Sequence, residues 1–237
     1  MGGILRTMIE RGHETKLLDH GFLRVVDWMG TDERIAESAR ISYKSPSKGV
    51  EQDEKLIHYL WKHSHLSPFE QCNITLNIKM PIFIMRQFVR HRTFRINEVS
   101  ARYTELPAEF YIPEVWRKQD TKNKQGSDGE FSDNINWAFS SDLSRHCEKT
   151  YEYYQSMIKN GVSREMARMV LPVNIYTEIY VNCDLRNLLN FVRLREDSHA
   201  QYEIRVYGKA IKSVLEELYP MTMRAYEKYN FQMIENE

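Results

Sequence analysis

The segment NITLNIKMPIFIMRQFVR, residues 73–90, holds two periodicities joined by one proline. Ile74, Leu76, Ile78 and Met80 alternate with Thr75, Asn77 and Lys79, the period of two expected of a strand with one buried face. Pro81 presets φ and lacks an N–H, so it suits the first position of a helix, and IFIMRQFVR continues as one. Half-buried strands pair most readily in antiparallel sheets. A strand feeding a helix that carries Arg86, Gln87 and Arg90 to its end predicts a single α+β domain.

Outward from this segment, GFLRVVDW (21–28) reads as a strand and DERIAESAR (32–40) as a helix with Asp32 as its cap. Residues 51–62 form a helix with Leu56, Ile57, Leu60 and Trp61 on its apolar face. SPFE (67–70) places Ser67 at a cap, Pro68 at the first helical position and Glu70 three residues on, enough for one turn whose free N–H groups suit an anion. Residues 117–136 are almost wholly polar and read as an insertion loop. Helices are predicted over 138–159, closed by Gly161; from Ser163 to before Pro172; and from Asp184 to Glu196. A last one runs from Ser198, burying Ile204, Ile211, Leu215 and Leu218, and stops at Pro220. Residues 1–16 read as an extension and 17–237 as the main domain.

The 237 residues carry 33 basic and 33 acidic side chains and are 42% apolar, an ordinary soluble composition whose charge balance argues against a nucleic-acid coat. No run is long enough to span a bilayer, and MGGILRTMIERGHETK, with Glu10 and Glu14, is not a secretory signal, so a cytoplasmic location is expected. Cys72, Cys147 and Cys183 are odd in number and form no CxxC pair, which predicts reduced, buried thiols. His58, His63 and His65 lack metal-ligand spacing, and no metal is expected.

Against this neutral background, RHRTFRINEVSAR (90–102) concentrates Arg90, Arg92, Arg95 and Arg102 with His91 and one carboxylate, Glu98. Such a cluster can grip nucleic acid, bind a phosphorylated small ligand, or form a solvated face. Phe88, Val89, Phe94, Ile96 and Val99 interleave with the arginines, and guanidiniums crowded on a partly apolar surface call for an anion. This favours a phosphate-bearing small ligand. Arg186, Asn190 and Arg193 share a second helical stripe, opposite Leu185, Leu188, Leu189 and Val192, and RED (195–197) allows Arg195 to pair with Glu196 or Asp197.

Arg90-His91-Arg92, seven residues, then Ser100 resembles the signature of the flavin-dependent thymidylate synthases, and Asn97-Glu98-x-Ser100-x-Arg102 its extension. HSHLSPFE (63–70), EFYIP (109–113), REMARMVLPVNIYT (164–177) and NFVRLREDSHAQ (190–201) continue the resemblance, which covers about Leu17 to Pro220. Arg95 stands where many members carry a small residue. The resemblance implies conversion of dUMP to dTMP with 5,10-methylenetetrahydrofolate as carbon donor, FAD as redox cofactor and NADPH as reductant. It also implies an α+β fold with a central antiparallel sheet flanked by helices, assembled as a homotetramer with active sites at subunit interfaces.

Carried over by motif, Ser67, Arg90, His91, Arg92, Glu98, Asp184, Leu185, Arg186 and Asn190 are flavin contacts, with Asp184 where members often carry Asn. Gln87, Phe88, Val89, Arg90 and the turn Glu98, Val99, Ser100, Ala101 and Arg102 form the dUMP cradle, with Arg168 reaching in from another subunit. Arg195 is the implied catalytic residue, set against the uracil ring. A classical cysteine-nucleophile synthase is unsupported, because no thiol lies in a basic cluster. The rival of another class is an RNA-binding module using the arginine segment, with which the balanced charge disagrees.

Overall fold

The computed structural model describes residues 9–44, 49–124 and 126–234. In chain order it contains β1 (Glu14–Leu17), β2 (Gly21–Met29), α1 (Asp32–Arg40), α2 (Val50–Lys62), a 3-10 turn (Ser67–Gln71), β3 (Asn73–Pro81), α3 (Ile82–Phe88) and β4 (Arg95–Glu98). Then follow β5 (Arg117–Gln119), β6 (Ser127–Glu130), α4 (Asp133–Lys159), α5 (Arg164–Ala167), β7 (Tyr176–Asp184), α6 (Leu185–Arg195), α7 (Tyr202–Leu218) and α8 (Pro220–Ile234).

The central sheet has the order β1-β2-β3-β7-β4, antiparallel throughout. Its register lines up the alternating residues: Leu23 opposite Ile78, Val25 opposite Leu76, Ile74 opposite Cys183, Leu76 opposite Val181, and Ile78 opposite Ile179. These side chains are buried against α6 and α7, whose Leu185, Leu188, Leu189, Ile204, Ile211 and Leu215 complete the main core. The opposite face is polar but tied together. Asn77 is fully buried; it accepts from Arg24 Nη1 at 3.1 Å and donates to Glu178 Oε1 at 2.9 Å and the Ile179 carbonyl at 3.2 Å. Asn182 donates to Thr75 Oγ1 at 2.9 Å and accepts from Arg95 Nη1 at 2.9 Å, so Arg95 belongs to this ladder.

Several expectations need correction. β7 pairs β3 along its whole length, yet it was absent from the sequence reading. The helix after Pro81 ends at Phe88, short of Arg90, and within the arginine segment β4 pairs β7 as the sheet's last strand. Within the expected loop 117–136, β5 and β6 form a hairpin and α4 starts at Asp133. Trp116 N–H donates to Asn136 Oδ1 at 2.9 Å, and Asn136 Nδ2 donates to the Phe131 carbonyl at 3.0 Å, anchoring the hairpin to α4. The helix opening at Ser163 is α5 alone, followed by a 3-10 turn (Arg168–Val170). The boundary placed at residue 17 falls inside β1, and residues 1–8 lie outside the described residues.

Asp32 caps a different helix from the one expected. It makes no cap bond to α1; its carboxylate accepts from Met221 N–H at 2.7 Å, Thr222 N–H at 3.1 Å and Thr222 Oγ1 at 2.6 Å, in the first turn of α8. The chain therefore does not end its helical part at Pro220, which instead opens α8. No helix among the described residues is long and apolar enough to cross a membrane.

Candidate functional site

Two sets of functional side chains meet at the end of α3, on different faces of it. The first borders a cleft of about 490 Å³. Arg86 and Val89 come from α3, Glu98 to Arg102 from the end of β4 and the turn after it, and Arg168 from the 3-10 turn after α5. β7 holds the turn in place: Val99 N–H donates to the Glu178 carbonyl at 2.9 Å and Thr177 Oγ1 donates to Glu98 Oε1 at 2.7 Å. The Ser100 hydroxyl accepts from Arg102 N–H at 3.4 Å, and no base is bonded to it among the described residues. Arg168 stands beside Glu98–Arg102 of its own chain.

The second set lies where α3, α6 and the 196–201 junction meet. Arg195 Nε donates to His91 Nε2 at 3.1 Å, and Arg195 Nη2 to the Gln87 carbonyl at 3.5 Å. His91 stacks on Phe94 with ring centroids 5.5 Å apart and meets Phe191 edge-on at 4.8 Å. Burial, then the Arg195 charge, pushes the imidazole down to about 4, so it is neutral at physiological pH and accepts at Nε2. Burial also pulls the Arg195 guanidinium down from its ordinary value. Glu196 pairs with Lys212 at 3.0 Å and Asp197 with His199 at 2.8 Å. The alternative in which either carboxylate holds Arg195 is thereby overturned.

Arg86, Arg90 and Arg92 are exposed, and their side chains have no hydrogen-bond or ion-pair partner among the described residues. These guanidiniums are not crowded onto an apolar surface: the interleaved Phe88 and Phe94 turn inward while the arginines stay in solvent. Phe88 is fully buried against Phe94 and Phe191, leaving only its backbone for a ligand.

Two of the expected flavin segments, the Ser67–Gln71 turn and the start of α6, come together in space. Leu185 N–H donates to the Cys72 carbonyl at 2.9 Å and Arg186 pairs with Glu70, locking the start of α6 against the Ser67–Gln71 turn. Ser67 is not the cap of that turn; Leu66 occupies the position, without a side-chain bond. Asp184 caps α6, accepting from Asn187 N–H at 3.0 Å and Asn187 Nδ2 at 2.7 Å, and Leu185 is fully buried. Asn190 accepts from Arg193 Nη2 at 3.2 Å on the exposed stripe. Arg90 and Arg92, exposed and without a carboxylate partner among the described residues, are the kind of donor that a pyrophosphate requires, so they fit FAD.

Residues 24–221 match the family described as Thymidylate synthase complementing protein. The chain belongs to the flavin-dependent thymidylate synthase family. It is 45% identical to the flavin-dependent thymidylate synthase of Wolbachia pipientis wMel over 91% of this chain and 77% of that one. It is 44% identical to that of Kosmotoga olearia over 92% and 95%. Among solved structures, the UMP/dUMP methylase PolB from Streptomyces cacaoi bound with 5-Br dUMP superposes with a TM-score of 0.81 at 30% identity, covering 91% of this chain and 98% of that one.

Against what this family's motifs implied, one region was missed. A cavity of about 610 Å³ lies between the β5–β6 hairpin and the start of α7, lined among others by Tyr111, Trp116, Arg117, His199, Tyr202 and Arg205. Arg117 Cζ sits 5.2 Å from the Tyr202 ring centroid and Arg205 Cζ 6.0 Å from it. The only sequence signal was the density of polar side chains at 195–201.

Proposed function

We propose that the chain methylates dUMP to dTMP, taking the carbon from 5,10-methylenetetrahydrofolate and releasing tetrahydrofolate. The observation that carries this reading is the cleft of about 490 Å³ built by Glu98–Arg102 and Arg168, lined by the guanidinium-bearing Arg86, Arg102 and Arg168 and by no thiol. All three cysteines are buried, and burial pushes the Cys72 and Cys183 thiols up to about 12 and Cys147 up as well, which disfavours the thiolate that a cysteine nucleophile needs. Relatives named flavin-dependent thymidylate synthases and a neighbour bound with a dUMP analogue support the same reading. Balanced charge leaves the RNA-binding alternative without support.

Arg90 and Arg92, the Ser67–Gln71 turn, Arg186 and Asn190 would hold FAD. Bound FAD, reduced by NADPH, supplies the hydride that completes the methyl group. Arg195 has Nε and Nη2 engaged by His91 and Gln87, which orient its plane and leave Nη1 for the substrate. A guanidinium so placed stabilises charge developing on uracil N3 and O4 as C5 becomes nucleophilic.

Arg195, His91 and Gln87 do not line the cleft that holds Ser100, Arg102 and Arg168. Val89, Tyr103, Met166, Met169 and Val173, in or near that cleft, are exposed apolar residues, as are Trp137 and Tyr153 on α4. We therefore place the complete site between chains of a homotetramer, one contributing the cradle and another Arg195. Tritium release from C5-labelled dUMP, dependent on both NADPH and methylenetetrahydrofolate, tests the activity. Release without added folate, or dihydrofolate as the stoichiometric product, would contradict it.

A further inference from the structure

Glu203, in the first turn of α7, is 2% exposed. Arg117 Nη2 donates to its Oε1 at 2.6 Å, the Tyr111 hydroxyl donates to the same oxygen at 3.2 Å, and Gln201 Nε2 donates to Oε2 at 2.8 Å. A buried carboxylate requires such a set of donors, and the helix N-terminus adds a favourable field. Burial and the neighbouring Glu203 charge push the Tyr111 hydroxyl up, keeping it a donor. The chain of bonds then leaves the core: Gln201 Oε1 accepts from Gln87 Nε2 at 2.5 Å, beside the His91–Arg195 pair.

The direction of this chain is set at its buried end. A carboxylate only accepts, whereas an amide accepts at one end and donates at the other. Glu203 therefore obliges Gln201 to turn its amino group inward and its oxygen toward Gln87. Gln87 must then use its amino group on Gln201, which leaves Gln87 Oε1 for a ligand.

We propose that Glu203 is a positioning residue of the nucleotide site: through Gln201 it holds Gln87 with its oxygen outward, so that Gln87 accepts a hydrogen bond from an N–H or O–H of the substrate. This rests on the dUMP reading above. The two donors on dUMP with this chemistry are the uracil N3–H and the deoxyribose 3′-hydroxyl. The same carboxylate binds Arg117 of the β5–β6 hairpin, so the hairpin buttresses Glu203.

The test is calorimetric titration of dUMP into FAD-loaded wild type, Glu203→Gln, Gln87→Ala and the double variant, with a thermal melt of each. Glu203→Gln keeps the volume but admits both amide orientations, and dUMP affinity should fall about tenfold, the scale of one oriented hydrogen bond. In the Gln87→Ala background the same substitution should change affinity less than twofold, because the group it acts through is gone. Titrating 3-methyl-dUMP and the 2′,3′-dideoxy analogue into wild type and Glu203→Gln identifies the donor, since only the analogue lacking it should bind both proteins alike. Should Glu203→Gln not fold, Gln201→Leu interrupts the relay at an exposed position and carries the same expectation. Equal losses in both Gln87 backgrounds, or unchanged affinity in Glu203→Gln, overturn the relay. A wild type that binds no dUMP overturns the function itself.

Discussion

Arg195 donates to the Nε2 of His91 at 3.1 Å, while the two carboxylates that follow it in sequence are each bonded elsewhere. Two cationic-type side chains can share a hydrogen bond only if one is neutral, and partial burial between Phe94 and Phe191 keeps His91 so. The arginine is thus oriented by an acceptor that does not cancel its charge. That arrangement suits a group whose task is to meet a developing anion.

Arg195→Lys preserves charge but loses the planar fork and the Nε–H that His91 accepts. Turnover should fall by about two orders of magnitude, the scale of one oriented donor to a developing oxyanion, with dUMP affinity changed far less. FAD content and melting temperature should stay near wild type, because no carboxylate loses a partner. Near-normal turnover in the lysine variant would remove Arg195 from the chemistry.

His91 gives a pH signature. Its folded-state value, about 4, lies below the ordinary 6.5, so the unfolded chain binds the proton more readily. Its contribution to stability is complete above about pH 6.5 and is lost as pH falls through about 4. Melting temperature against pH should decline over that window, and less steeply in His91→Asn, which keeps an acceptor without titrating. Parallel curves for the two proteins would show that the imidazole is not the group involved.

Asp32→Ala should destabilise the fold by about 2–4 kcal/mol, since it strands two backbone N–H groups and the Thr222 hydroxyl at the start of α8. Urea unfolding measures it. A loss under about 1 kcal/mol would mean that α8 finds other partners for its first turn.

Replacing Cys72, Cys147 and Cys183 together with Ala should leave turnover per folded, FAD-loaded chain within about threefold of wild type, since no thiol lines the cleft. Stability will drop with the lost core volume, so activity is compared at a temperature where circular dichroism shows the variant folded. Abolished turnover in that folded protein would restore the cysteine mechanism.

The shared site is testable by complementation. Arg168→Ala and Arg195→Ala chains should each be nearly inactive alone, yet regain activity when coexpressed, because some interfaces then combine an intact cradle with an intact Arg195. Mixed oligomers without recovery would place both arginines in one chain's site.

The strand at 73–80, the helix that follows Pro81 (though it ends at Phe88 and leaves Arg90 outside) and the buried face of α2 were legible in the sequence, because each follows from neighbours within a few positions. The alternation of Ile179, Val181 and Cys183 with Glu178, Tyr180 and Asn182 was equally local and would have revealed β7. The family was legible as a resemblance, carried by motifs spread along the chain. What only the tertiary structure decided are the partners. Asp32 reads as the cap of the helix it begins, yet it serves a turn 190 positions away. β4 is four residues long and exists because β7 offers it an edge. Arg195 lies next to two acids in sequence and pairs with neither, because a helix end turns it toward α3 while Lys212 and His199 take the carboxylates. Periodicity and capping are settled by backbone geometry over one or two turns, whereas the choice of a hydrogen-bond partner depends on which buried groups the packed core leaves unsatisfied.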